Sequence, residues 1–317
     1  MSLPALFNRK LYKTGQTRGA DDDEIYQNRV GRNSTILINF HSYDVNKYSK
    51  NFENGFIVLI SPKDYFDKNI KKPKNLVLGE NLLVFYQTRQ EWNEYNPNKY
   101  KWTFATSRTN PLGGQYVARV PATTADKTPK IALGFTETKM KGAGIRDYEY
   151  SDSTNTERCR KQLEALYWLC YNSIEVSVAN KMDRKEAEKR KTNNLKYCEE
   201  NGVLDYQKLI AARIVDVEHN TICPLCLEKL DANGFYNKMA QAEGREVVDL
   251  TITQLNLFHI KELRVGEFNH VPYNLGWGHH HCNVVVKDSG IEQTLKWLKQ
   301  IVIRNEEYQN KKRESDS

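Results

Sequence analysis

Two short stretches carry side chains able to grip a metal ion. In Cys223-Pro224-Leu225-Cys226, a tight turn aims two thiols at one point, and zinc favours such soft ligands in a tetrahedron. Far downstream, Gly278-His279-His280-His281-Cys282-Asn283 repeats the two-residue gap with His279 and Cys282. Cys223, Cys226, His279 and Cys282 together make a closed Cys3His set, which describes a structural zinc rather than a catalytic one. The gap selects His279, although His280 and His281 offer the same imidazole. A lone Cys-x-x-Cys also arises by chance or serves redox chemistry, and the second knuckle is what favours metal.

The elements between the knuckles must position these groups. Leu255–Ile260 reads as a strand, a polar Gly-containing loop follows, Asn274–Trp277 reads as a second strand, and a helix opens near His280. All six cysteines lie after residue 150, and five of the seven histidines fall between His259 and His281. Cys159, Leu163, Leu166, Tyr167 and Cys170 recur at helical spacing and read as a buried stripe on a helix running from a Thr154 or Thr156 cap to about Tyr171. A second, charged helix is expected over Asn180–Glu200, where interleaved Glu and Lys stabilise one another. Cys198 has no role legible in the sequence.

Strand, loop, strand, helix with a zinc clasp at both ends resembles the HNH, or ββα-metal, nuclease family over roughly residues 220–290. The matching residues are His259-Ile260, Asn274-Leu275, and Cys282-Asn283 with Lys287. The resemblance implies that His259 is the general base, since a neutral imidazole on a rigid strand can deprotonate water near neutral pH. It implies that Asn274 holds the hairpin loop and that Asn283 holds a catalytic divalent cation, Mg2+ or a similar hard ion. One position departs from the family. Phe258 stands where a metal-binding Asp or Glu usually precedes the first His. Glu262 or Asp288 substitutes, or Asn283 and phosphate oxygens hold the ion, or the fold has lost catalysis. His270 lies only four residues before Asn274, too close to span a hairpin, and reads as a loop residue. His41 and His219 are isolated and read as packing or surface residues.

The first half differs in charge. Residues 1–150 hold 23 Lys+Arg against 15 Asp+Glu, while the rest hold 24 against 25, so the net +7 sits in the first half. Segments favouring β-structure follow one another there: Ser34–Phe40, Phe56–Ile60, Leu82–Tyr86, Lys101–Phe104, Tyr116–Val120 and Ile131–Phe135. They predict a mostly β domain, a barrel or curved sheet. Its loops carry Lys71, Lys72, Lys74, Arg108, Lys139, Lys141 and Arg146, suited to phosphate contacts, beside Tyr86, Trp92, Tyr95 and Trp102. The acidic run Asp21-Asp22-Asp23-Glu24 reads as a solvated turn.

The expectation is an α+β protein. Residues 1–150 form a mostly β DNA-recognition domain, 151–204 a helical connector, and 205–317 a zinc-clasped ββα-metal nuclease domain. No apolar run approaches the roughly 18 residues that span a bilayer, and the start lacks a signal-peptide pattern, so a cytoplasmic protein is expected. Lys13-Thr14-Gly15-Gln16-Thr17-Arg18-Gly19-Ala20 through Gln27-Asn28-Arg29-Val30-Gly31-Arg32-Asn33 further resembles the BstXI-type restriction enzymes. That likeness implies a Type II enzyme cutting both strands of double-stranded DNA at an interrupted palindrome, and a two-fold target implies a homodimer. Two other readings stand beside it: a different HNH nuclease (homing, modification-dependent or RNA-directed), and a non-catalytic zinc module that binds nucleic acid or protein.

Overall fold

The computed structural model describes residues 3–12, 35–48, 52–107, 110–118, 120, 145–236, 241–242, 245–246, 254–287 and 289–315. The chain divides into two compact units. One comprises Met1–Gly31, Ser153–Arg264 and Asn269–Ser317; the other comprises Arg32–Asp152 and Val265–Phe268. The first described helix, α1 (Ala5–Tyr12), belongs to the former. Among the described residues, no helix is long and apolar enough to cross a membrane.

The second unit is built on a parallel sheet. Strands β1 (Ile36–Asn39), β2 (Phe56–Ile60), β3 (Leu82–Tyr86), β4 (Tyr116–Ala118) and β5 (Ile145–Arg146) stand in the order β4-β3-β2-β1-β5, every neighbour parallel. Parallel sheets are covered on both faces, which explains strands as uniformly apolar as Leu-Leu-Val-Phe-Tyr. Ile36, Ile38, Val58, Ile60, Val84 and Tyr86 bury against one side, while Ile57, Leu83 and Val117 bury against the other.

The mostly β domain expected from the sequence is, in the described residues, a parallel sheet interleaved with short helices. Parallel neighbours need crossover connections, and these contain α2 (Val45–Tyr48), α3 (Pro62–Phe66) and α4 (Arg89–Glu94). Helices of four to six residues are too short to display a helical period, so only their caps announce them. Ser61 accepts from the Asp64 N–H, with Pro62 opening the turn, and Thr88 forms a capping box with Glu91. Of the strand expected at Lys101–Phe104, only Phe104 pairs, with Tyr116. Ile131–Phe135 lies outside the described residues. In the same unit, Tyr48 Oη and the Gly266 N–H both donate to Asp147 Oδ2, at 2.6 and 2.7 Å.

The other unit is helical around one antiparallel pair. Its helices are α5 (Ser153–Trp168), α6 (Ser173–Ala179), α7 (Arg184–Glu200) and α8 (Tyr206–Ala211). The predicted stripe of α5 is core: Cys159, Leu163, Leu166, Tyr167 and Cys170 are all buried. The helix α7 starts at an Asp183 cap rather than at Asn180, and Cys198 on it is fully buried, its thiol 3.3 Å from the Lys161 carbonyl. Arg190 of α7 meets the buried Glu164 carboxylate of α5 at 2.6 Å. These helices pack in the same unit as the Cys/His-rich segment instead of standing apart from it.

Short strands β6 (Gln241–Ala242) and β7 (Arg245–Glu246) precede β8 (Leu255–His259) and β9 (Leu275–His279), and α9 (His280–Val286) and α10 (Ile291–Ser315) close the chain. The antiparallel β8–β9 pair is buried on both faces. Trp277 Nε1 donates to the Leu163 carbonyl at 2.8 Å, and the Phe258 ring lies over Gly278, where an added Cβ would meet Phe258 Cδ2 at 2.5 Å. Phe258 is fully buried. Gly278→Ala should therefore lower the unfolding free energy by about 1–3 kcal/mol in urea. Gly276→Ala, whose nearest neighbour is Ile214 at 3.4 Å, should cost less. A Gly278→Ala protein as stable as wild type would contradict this packing.

Candidate metal centre and active site

The register of the hairpin decides where each group stands. Leu255 pairs with His279 and His259 with Leu275, so the two histidines occupy opposite ends of the pair, roughly 13 Å apart along the strands. His279 is the last residue of β9 and the cap residue of α9, which brings Cys282 back beside it on the first helical turn.

The Cys223 knuckle meets that end. The Leu227 N–H donates to the Cys223 carbonyl at 2.8 Å and the Cys223 N–H to Glu228 at 2.9 Å, closing a tight turn in which Leu227 takes a left-handed φ of 65°. Arg213 pins it through the Pro224 carbonyl at 2.9 Å. Cys226 Sγ lies 3.3 Å from His279 Nδ1, and the ligand atoms of Cys223, Cys226, His279 and Cys282 all fall within 4.8 Å of one another. Sulfurs about 2.3 Å from a tetrahedral ion stand roughly 3.8 Å apart, so this spacing accommodates one. His279 is the member of the His279-His280-His281 run that joins the thiols, while His280 Nδ1 accepts from Asn256 Nδ2 at 2.7 Å.

The electrostatics agree with a cation. Hydrogen bonding from Cys282 holds the Cys223 thiol down, whereas burial pushes Cys226 up. Its hydrogen bond to Cys223, together with burial, pushes Cys282 up as well. Thiols bind a dication as thiolates, so an ion here would let all three ionise. The cluster could therefore hold a metal such as zinc, and the Cys3His donor set suits that ion.

The opposite end of the hairpin carries His259, the half-buried last residue of β8. Its Nε2 lies 3.3 Å from His270 Nδ1, and His270 is only 1% exposed. Asn274, also buried, ties this end together: its Oδ1 accepts from the Lys261 N–H at 2.8 Å, its carbonyl from the Ile260 N–H at 3.0 Å, and its Nδ2 donates to the Asn269 carbonyl at 2.7 Å. Asn283 sits half-exposed on α9. The two candidates for a missing carboxylate fare differently. Glu262 is bound by Arg264 at 2.6 Å, and Asp288 lies outside the described residues. Among the described residues, the Cys/His cluster is the one group of three or more His, Cys, Asp or Glu placed to hold an ion.

Sequence reasoning missed His270 as a neighbour of His259, because spacing along the chain cannot show that a loop folds back. Its burial beside a strand end was the missing signal. His41 pairs with Asp64 at 2.9 Å at the surface of the other unit, and His219 stacks on Tyr206 at 3.9 Å. Tyr86, Trp92, Tyr95 and Trp102 pack into the sheet's core. Residues 13–33, Arg108, Lys139 and Lys141 lie outside the described residues.

A family model, BstXI restriction endonuclease, matches residues 9–280. The chain belongs to the BstXI restriction endonuclease family. Membership makes it a nuclease that acts on DNA, and the matched span includes Cys223, Cys226, His259, Asn274 and His279 while ending just before Cys282. No curated protein and no solved structure matches the chain.

Purified wild-type protein should carry about one zinc per chain, as expected of a single closed Cys3His site. Cys223→Ser should lose most of it by elemental analysis. Unchanged zinc in that variant would sink the assignment.

Proposed function

We propose that this chain is a Type II restriction endonuclease with an HNH, or ββα-metal, active site, acting as a homodimer on double-stranded DNA. The observation that carries this reading is the antiparallel β8–β9 pair followed directly by α9, with His259 ending the first strand, Asn274 tying the loop and Asn283 on the helix. Family membership supports DNA as the substrate. The basic first half of the chain supports electrostatic attraction to phosphates. An interrupted palindrome has two-fold symmetry, which a dimer with one active site per strand matches.

In this reading, His259 is the catalytic base. A water beside the scissile phosphate gives its proton to the neutral imidazole and forms the new P–O bond as the bond to the leaving sugar oxygen breaks. Asn274 acts indirectly, fixing the loop and the strand end so that the imidazole does not wander. Asn283 would hold a divalent cation such as Mg2+, which when bound supplies a Lewis acid for the charge developing on the phosphate. The buried Phe258 contributes no ligand. A cation held by Asn283 would therefore need further donors from the phosphate itself or from residues such as Asp288. The Cys3His cluster holds a structural zinc and takes no part in the chemistry.

One observation favours a second reading, a non-catalytic zinc module: a fully buried phenylalanine occupies the usual position of a carboxylate ligand. Incubation with plasmid DNA and Mg2+ separates the two. Discrete fragments are expected from wild type, abolished by chelation, and slowed about 100-fold or more in His259→Ala. Smeared or nicked products would favour a less specific HNH nuclease. No cleavage at all would favour the non-catalytic module, and equal rates for wild type and His259→Ala would remove the base.

A further inference from the structure

The helix α10 runs for 25 residues, roughly 37 Å, and leaves the core of its own unit almost at once. Ile291 joins that core and Thr294 is buried one turn later. Beyond them, Leu295, Trp297, Val302 and Tyr308 are 36, 53, 55 and 66% exposed. Leu298 and Ile301 are half-buried, and among the described residues neither packs against the unit's buried core. A helix in water draws most of its stability from packing an apolar face, and a continuous exposed one marks a surface that something covers. We propose that α10 is the dimerisation helix of this protein, its apolar stripe packing antiparallel against the same stripe of a second copy of the chain. The proposal rests on the reading of the chain as a homodimer and names the surface that makes it one.

The spacing and the charges together select that occupant. Leu295, Leu298, Val302, Asn305 and Gln309 recur at alternating intervals of three and four, the seam of a two-stranded coiled coil. Ile301 and Tyr308 border the seam on one side. The other border carries Glu292, Lys299, Glu306 and Arg313, all exposed, seven residues apart and alternating in sign. In a parallel pair this charged border would face the uncharged Ile301 and Tyr308 border of the second copy. In an antiparallel pair a two-fold axis crosses the helices and sets each border against its own copy. Glu292 then stands opposite Arg313 and Lys299 opposite Glu306, each pair occurring twice, while Leu298 meets Val302 across the axis. The apolar seam supplies the affinity, and the alternating charges choose the orientation.

The base of α10 is fastened to the strand end that bears His259. The Ile291 N–H donates to the Ile260 carbonyl at 3.1 Å, and the Thr294 hydroxyl donates to the Gly290 carbonyl at 2.8 Å. Gly290 takes a left-handed φ of 75° and lies so close to Glu262 that an added Cβ would meet its nitrogen at 2.6 Å. A pair of α10 helices would therefore hold the two proposed active sites in a fixed relation, one for each strand of a two-fold target.

Sedimentation of the full-length, zinc-loaded protein without DNA should show a dimer at micromolar concentration. Leu298→Glu combined with Val302→Glu places unpaired charges in the seam and should raise the dissociation constant about 100-fold or more. Helix content and zinc should stay at wild-type values, since both side chains lie outside the unit's core. Lys299→Glu sets like charges opposite one another and should weaken the dimer about ten-fold. Adding Glu306→Lys to it should restore most of the loss, because both pairs are then opposite in sign again. These surface exchanges decide the matter if the seam variant does not fold: no weakening, or no rescue, overturns the antiparallel α10 pair. A wild-type dimer that survives Leu298→Glu with Val302→Glu overturns the proposal and leaves the homodimer reading standing. A wild type that is monomeric without DNA overturns the proposal too. The number of chains on a cleavable duplex then judges the homodimer reading separately, two leaving it standing and one removing it.

Discussion

The ring of Phe258 lying on the backbone of Gly278 is the contact on which the site's geometry depends. It fixes how β8 sits against β9, because any side chain at 278 would collide with it. A one-residue slip would turn every side chain of β8 to the opposite face. Asn256 and Phe258 would then change places with Leu257 and His259, and the fully buried phenylalanine would lose its seat over Gly278. With this register, His259 ends one strand and His279 the other, so the two histidines stand at opposite ends of the hairpin.

Each end is fastened by a different kind of bond. At the His279 end, three sulfurs and an imidazole from two distant segments converge within 4.8 Å, a spacing suited to a soft tetrahedral ion. At the His259 end, one buried amide does comparable work with neutral hydrogen bonds, Asn274 holding Lys261, Ile260 and Asn269 at once. Burial makes those hydrogen bonds costly to leave unmade, so the loop has little freedom to depart from them. The start of α10 adds to this, as the Ile291 N–H donates to the Ile260 carbonyl one residue beyond His259. The same position that a carboxylate would occupy in the resembling nucleases is used here for core packing by Phe258, which concentrates the proposed metal chemistry on Asn283.

The parallel sheet of the other unit shows where reading a sequence stops. Its strands β2 and β3 are legible because runs such as Phe56–Ile60 are continuously apolar. Their direction is not, since a buried strand looks alike whichever way its neighbour runs. Direction is carried by the connections, and these hold helices of only four to six residues, too brief for a 3.6-residue period to register. The Ser61 and Thr88 caps were the available signals.

Groups whose geometry is local were legible along the chain. A Cys-x-x-Cys turn and a His-x-x-Cys at a helix start bring their ligand atoms together over a few residues of backbone, so spacing alone names Cys223, Cys226, His279 and Cys282. The α5 stripe and the strand–loop–strand–helix order are local in the same sense. Everything that depends on the chain returning to itself came from the fold: the parallel pairing of the sheet, the packing of α5–α7 in the same unit as the Cys/His cluster, and the meeting of His259 with His270. Those two histidines are separated by eleven positions of loop and strand, and no periodicity relates them. Burial of the loop, set by α5 beneath it and Asn274 within it, is the physical cause that brings their rings together.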